Sequence, residues 1–249
     1  MKKIMIAAAA VLLCTSCFHV NKNYKQGDAG DFVEGFQEGF SEGRKASRKP
    51  IKGEGAVVSK SFDLKDFDQI VINGHADVSF TQSDAYEVTV RTQENILEWL
   101  DYKVVDGTTL VIEAKDKREI RAEKYDLVIQ APALKKLVVN GASDFNVGSL
   151  RSEEDLDIEI NGAGDLDFDR IQCSSLTLEV NGAADANLTS ISVQKDLKVE
   201  VNGAGDVKVT GNAQSASFSV NGAGDIDATG LKVAGEVSKH TSGLASIKL

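Results

Sequence analysis

Apolar and polar residues alternate in short runs through the second half of the chain, as in Leu156-Asp157-Ile158-Glu159-Ile160, Leu176-Thr177-Leu178-Glu179-Val180 and Leu197-Lys198-Val199-Glu200-Val201. The alternation resumes after a short break, as in Leu166-Asp167-Phe168 and Val207-Lys208-Val209. A period of two in runs rich in Val, Ile and Leu predicts strands with one buried face. The break itself is the motif Asn-Gly-Ala-x-Asp, beginning at Asn140, Asn161, Asn181, Asn202 and Asn221 and ending at Asp144, Asp165, Asp185, Asp206 and Asp225. The Asn positions step by 21, 20, 21 and 19 residues. A fixed period near twenty marks a solenoid whose neighbouring units bury one continuous core, and it is too short for paired helices.

Asn-Gly supplies a turn, because glycine takes positive φ freely and Asn tolerates the left-handed region. Two architectures fit. Asn-Gly between alternating runs is a strong hairpin signal, which would give an antiparallel meander. In a parallel β-helix, rungs stack roughly 4.8 Å apart and an Asn at the same corner of every rung passes amide hydrogen bonds to the next. The second is preferred because the motif recurs at one phase, a demand that acts on every rung equally. It assigns a structural turn ladder to Asn73, Asn140, Asn161, Asn181, Asn202 and Asn221, with Gly141, Gly162, Gly182, Gly203 and Gly222.

Asn73 enters that set because Val71-Ile72-Asn73-Gly74-His75-Ala76-Asp77-Val78 reads as a first copy with one change of spacing inside it. Ser242-Gly243-Leu244-Ala245-Ser246-Ile247, 21 residues after Asn221, reads as a degraded last rung, as terminal solenoid units usually are. The 67 residues from Asn73 to Asn140 leave room for two less regular rungs and an insertion. Within them, Tyr86 to Thr92 alternates, Tyr102 to Ala114 suggests two strands around Asp106-Gly107, and Tyr125 to Gln130 leads into Pro132. Glu94 to Leu100 suits one helical turn or a loop that packs the sole Trp, and the charged stretch Lys115 to Lys124 an exposed loop.

The amino terminus has another character. Lys2 and Lys3 precede an apolar run from Ile4 to Leu13, then Thr15, Ser16 and Cys17, which is the order of a signal peptide too short to span and stay. Cys17 after small residues resembles a bacterial lipobox, with cleavage before the Cys and lipidation of its thiol; Cys14 in place of the usual Leu departs from the pattern. Residues 1–16 are then the leader, 17–54 a lipidated tether and 55–249 a single β-helix domain. In the tether, Phe32, Phe36 and Phe40 fall at helical spacing, but Gly35, Gly39 and Gly43 each oppose a helix by about 1 kcal/mol, which favours a flexible segment. Cys173 alone remains in the body, where it reads as a small packed residue.

The formal charge of −10 becomes −12 once Lys2 and Lys3 leave with the leader. No basic and aromatic cluster offsets it, so nucleic acid is excluded as a partner. The Asp column is the best candidate for site chemistry, since stacked carboxylates are relieved by Ca²⁺; the plainer reading is that each Asp accepts backbone N–H bonds at its turn and faces water. No metal or cofactor is assigned. A polysaccharide lyase or hydrolase would need one local acid–base cluster, whereas here the acid recurs in every rung, and His19, His75 and His240 lie far apart. The chain is expected not to be an enzyme.

The order Ser61-Phe62-Asp63-Leu64-Lys65-Asp66-Phe67-Asp68-Gln69-Ile70-Val71-Ile72-Asn73-Gly74, then Asp106-Gly107-Thr108-Thr109-Leu110-Val111-Ile112, then Ala131-Pro132-Ala133-Leu134-Lys135-Lys136-Leu137, then the Asn-Gly-Ala rungs, resembles the auto-transporter adhesin head GIN domain family. The resemblance implies a right-handed, single-stranded parallel β-helix of the kind common in secreted and lipid-anchored proteins of Bacteroidetes-type bacteria. It carries over no catalytic or binding residue. The expected function is an outer-membrane lipoprotein of the cell envelope, on either face, that presents a repetitive surface to a glycan or protein. The other reading is a structural or sensing-associated envelope protein with no ligand of its own. The sequence specifies no oligomeric state.

Overall fold

The computed structural model describes residues 49–249, which form one compact unit. The leader, Cys14, Cys17, His19 and the tether as far as residue 48 lie outside the described residues. Ile51–Lys52, expected in the tether, instead pairs with Ile120–Arg121.

The chain winds as a parallel β-helix. Three short strands per rung stack into three parallel faces. The first face runs Gln69–Gly74, Lys136–Ala142 and then the opening segments of Leu156–Phe168 and Leu176–Gly203, each in parallel register with the next. Across the corner the second face aligns Asp77–Gln82, Asp144–Val147 and the closing segment of Leu156–Phe168. The third face is formed by Leu150–Arg151, Ile171–Cys173 and the stretches that follow them in later rungs, such as Ile191 to Val193 against Gly211 to Ala213. The pairing is parallel between all repeated rungs, which excludes the meander. The Asn-Gly pair is a corner within a continuous strand and not a hairpin turn.

Inward side chains form columns that run the length of the solenoid, and on the second face of the first three rungs bulky and slimmer residues alternate along them. On the second face Phe145 lies between Val78 and Leu166, and Val147 lies between Phe80 and Phe168. Each of these rungs therefore brings one bulky and one slimmer side chain to the same pair of columns, an arrangement that lets neighbouring layers interdigitate. Phe80, Phe145, Phe168 and Phe218 are all buried. Cys173 is a free thiol in this core, where burial pushes its pKa up to about 12.

Two features of the amino-terminal half depart from expectation. Asn73 to Asp77 matches Asn140 to Asp144 residue for residue, with His75 standing where Ala142 does, so the first copy has no change of spacing. The 67-residue interval also contains no intercalated rungs, because the Asn73 and Asn140 rungs are direct neighbours. After Gln82 the chain doubles back to the outer side of the first rung. There Thr109–Ala114 and Tyr125–Ala131 pair parallel with Gln69–Gly74 and Asp77–Gln82. Antiparallel strands finish that end: Leu100–Val105 on Thr109–Ala114, and Glu87–Gln93 on Tyr125–Ala131, followed by Val57–Phe62. This cap covers the sheet edge that an amino-terminal rung would otherwise expose.

The opposite end is managed differently. In the last rung Lys239 aligns with buried Phe218 and Thr241 with buried Val220. Polar side chains thus stand in the core columns, one of the devices that keep exposed sheet edges from pairing.

The corner glycines Gly141, Gly162, Gly182, Gly203 and Gly222 have φ between +139° and +153°, and a Cβ on each would lie about 2 Å from the carbonyl oxygen of the glycine in the rung beneath. That carbonyl is a hydrogen-bond acceptor: Gly182 O takes the N–H of Ala204 at 2.8 Å, and Gly203 O that of Ala223 at 2.8 Å. Gly203→Ala is expected to destabilise the protein by about 3 kcal/mol or more in urea unfolding, combining steric overlap with an unfavourable φ. Gly148→Ala, where nothing lies within 4 Å, should stay within about 0.5 kcal/mol of the parent.

Candidate binding surface

At the corners, one amide ladder connects the rungs. Each Asn donates from Nδ2 to Oδ1 of the Asn beneath it: Asn140 to Asn73 at 2.8 Å, Asn161 to Asn140 at 2.9 Å, and Asn181, Asn202 and Asn221 each at 3.0 Å to their predecessors. The second amide proton is used as well. Asn161, Asn181 and Asn202 donate it to Glu159, Glu179 and Glu200, each two residues earlier on the same strand and hence on the same face. At the capped end Asn73 Nδ2 lies 3.5 Å from Glu113 Oε2, and Glu113 accepts from Lys103 Nζ at 2.7 Å. The Glu partners were not anticipated, although their position two residues before Asn161, Asn181 and Asn202 was visible in the alternation; Val138 and Ser219 stand there before Asn140 and Asn221.

The Asp column is occupied with its own backbone. Asp144, Asp185 and Asp206 each accept, at 2.9–3.0 Å, the N–H of the Asp one rung further on. Asp165 donates its N–H to Asp144, but no such bond reaches its own carboxylate. Partial desolvation and the neighbouring carboxylates of Asp144, Asp185 and Asp167 raise its pKa. Hydrogen bonds act oppositely elsewhere, holding Glu200 down through Asn202 and Lys198, and Asp227 through Thr229. Among the described residues no group of three or more His, Cys, Asp or Glu is placed to hold a metal ion. His75 Nδ1 meets Ala142 O across the first two rungs, and His240 is exposed on the strand Val237–Gly243 of the last rung. The two lie at opposite ends of the stack.

Outward positions of the rungs are polar. On the third face Arg151, Gln172, Ser192, Asn212 and Lys232 align in one column. On the second face Ser79, Asn146, Asp167, Asn187 and Lys208 form another, in which Asn187 Nδ2 donates to Asp167 Oδ1 at 2.9 Å. A shallow groove of about 210 Å³ runs past Asn146 and Asp167.

Among the described residues, the Tyr and Trp side chains are gathered in the cap. Tyr86, Trp99, Tyr102 and Tyr125 all fall in the excursion between the first two rungs. Tyr102 and Tyr125 share a hydrogen bond at 3.0 Å, and burial raises the pKa of both phenols, Tyr125 to about 12. The sequence alternatives for Glu94 to Leu100 are both partly realised: Glu94–Leu97 is one helical turn, and Trp99 follows it, half-buried, beside an open cleft of about 610 Å³. The charged stretch beyond Ala114 is a short 3₁₀ turn, Lys115–Lys117, at the rim of that cleft, followed by the strand Ile120–Arg121.

The fold and its surface define a β-solenoid that displays in-register polar columns on three faces and an aromatic cap at one end. The profile of the family described as "Putative auto-transporter adhesin, head GIN domain" matches residues 66–194 and 189–249, and the chain belongs to that family. Solved structures share the fold. A "Putative lipid binding protein" from Parabacteroides distasonis has a TM-score of 0.72 and 22% identity, covering 80% of this chain and 99% of that one. A "putative adhesin" from Bacteroides fragilis has a TM-score of 0.63 and 22% identity, with coverages of 80% and 99%. A second "putative adhesin" from Parabacteroides distasonis has a TM-score of 0.67 and 26% identity, covering 80% of this chain and 84% of that one. No curated protein matches.

Asn181→Ala and Asn202→Ala should each cost about 1 kcal/mol in thermal unfolding. The double variant should fall short of their sum, because the bond between the two residues is already lost in either single variant. The raised pKa of Asp165 means that its ionisation opposes folding above the carboxylate range and has no effect once it is protonated in both states. Asp165→Asn should therefore raise the melting temperature at pH 7, and the gain should vanish at pH 3.

Proposed function

We propose that this protein is a lipid-anchored adhesion or binding module of the bacterial cell envelope, attached to the outer membrane through Cys17, whose β-helix presents its outer surface to a glycan or protein. The observation that carries the reading is the surface itself. Columns of Asn, Asp, Ser, Thr, Lys and Arg repeat in register on faces whose core is otherwise independent of them, so the outward residues are free to serve recognition. Family membership supports a binding role, as do the printed names of the structural neighbours, which speak of adhesin and lipid-binding proteins. In this reading the module has no catalysis of its own, and residues 17–48 tether it to the membrane.

A second reading, a structural or sensing-associated envelope protein, draws on one specific feature: the repeated rungs carry no exposed aromatic side chain among the described residues. The membrane anchor is common to both.

Cys17→Ala in the full chain should abolish labelling by a radiolabelled fatty acid and release the protein from the membrane fraction. A variant that stays labelled and membrane-bound would refute the anchor.

A further inference from the structure

The cap concentrates what the rungs lack. Its open cleft, about 610 Å³, lies between the end of the helical turn, the hairpin strands and the 3₁₀ turn, and its lining includes Glu98, Trp99, Asp101, Glu113, Lys115, Asp116 and Lys117. That volume falls within the range of small-molecule sites. The groove on the second face is about a third as large and has no exposed aromatic lining.

Trp99 is held as a platform. Its N–H bonds Ile96 O at 2.9 Å and its carbonyl accepts from Lys115 N at 2.8 Å, so the main chain is fixed on both sides. The Arg118 guanidinium lies 5.2 Å from the ring centroid and is itself tied to Lys49 O at 2.6 Å. The indole Nε1–H makes no hydrogen bond to the described residues, which leaves a donor at the cleft.

Charge around the ring is balanced, with Glu98, Asp101, Glu113 and Asp116 against Lys103, Lys115, Lys117 and Arg118, in contrast to the net −10 of the chain. Asp101 and Glu113 share the Lys103 ammonium at 3.1 and 2.7 Å, and Lys115 Nζ is engaged with Glu98 O at 2.8 Å. The Glu98 carboxylate and the Lys117 ammonium are exposed and have no ion pair or hydrogen bond among the described residues. A polyanion would meet Glu98, Asp101 and Glu113, and a cation would meet Lys115 and Lys117. A neutral ligand with both donors and acceptors meets neither penalty.

We propose that this cap cleft is a glycan-binding site for a neutral sugar. The apolar C–H face of the sugar ring packs on the exposed part of Trp99, while hydroxyl groups donate to the Glu98 and Asp101 carboxylates and accept from Lys117 Nζ and the indole N–H. The inference deepens the binding-module reading and rests on it, since it names the ligand class and moves the site from the rungs to the cap.

Trp99 is the only Trp in the chain, so its fluorescence reports the site directly. The full chain should be titrated with maltotriose, xylotriose, mannotriose and N,N′-diacetylchitobiose, and tested on a printed glycan array and on wells coated with serum proteins. At least one saccharide is expected to change Trp99 emission saturably. By calorimetry Trp99→Ala should weaken that saccharide by about tenfold or more, Trp99→Phe by only about threefold, and Glu98→Ala by several-fold with an unchanged melting temperature. If saccharide binds but the folded Trp99→Phe and Glu98→Ala variants and an Asp167→Ala control all bind like the parent, with no change in emission, the cleft assignment is overturned and the module reading stands. If no saccharide binds while the chain adheres to protein-coated wells, the glycan inference alone is overturned. If nothing binds in any format, both are overturned.

Discussion

Each rung of this molecule is held to the next by a backbone approach so close that no side chain fits between. The carbonyl oxygen that accepts the next rung's N–H at the corner occupies the space a Cβ would take, so glycine there is a requirement of the hydrogen bond itself and not only of the turn. Once the corner is fixed, rungs can stack only flush. Flush stacking places Asn over Asn, Glu over Glu and each inward side chain over its counterpart. The amide ladder, the aligned surface columns and the continuous core are three results of one steric condition.

The core exploits that alignment without being uniform. Phe145 between Val78 and Leu166, beside Val147 between Phe80 and Phe168, fills two adjacent columns by turns, so bulky rings are spread along the axis. The two ends solve the same edge problem in unlike ways. At one, antiparallel strands reverse the pairing direction and bring in aromatic side chains; at the other, Lys239 and Thr241 take the place of core residues. A further strand added over Lys239 would have to bury its ammonium group, a steep electrostatic cost.

The repeating half was readable because period, phase and corner chemistry all coincide there. Asn161, Asn181 and Asn202 mark identical positions, and strand alternation then determines which residues face inward. The cap was less readable for a physical reason: alternation identifies the buried face of a strand but not its neighbour. Thr109–Ala114 and Tyr125–Ala131 look like ordinary rung strands in sequence, yet they stack outside the first rung, a placement set by pairing over long separations. The cleft at Trp99 depends on that placement, which brings Glu98, Glu113 and Lys117 around one ring from three separate elements. The Asp column went the other way. Its residues were visible as a candidate site, and most are spent on backbone hydrogen bonds.

The amide ladder also has a direction. Every Asn points its Nδ2 toward the cap and its Oδ1 away from it, so the side-chain dipoles add head to tail, with their positive end against the Glu113 carboxylate. A partly formed solenoid therefore exposes on its growing side an array of unfilled acceptors, the Asn oxygen and the corner glycine carbonyl, at the spacing the next rung's donors need. The two sides of any partial stack are therefore chemically unlike: the side away from the cap offers Asn and glycine carbonyl acceptors, and the side toward it offers amide donors.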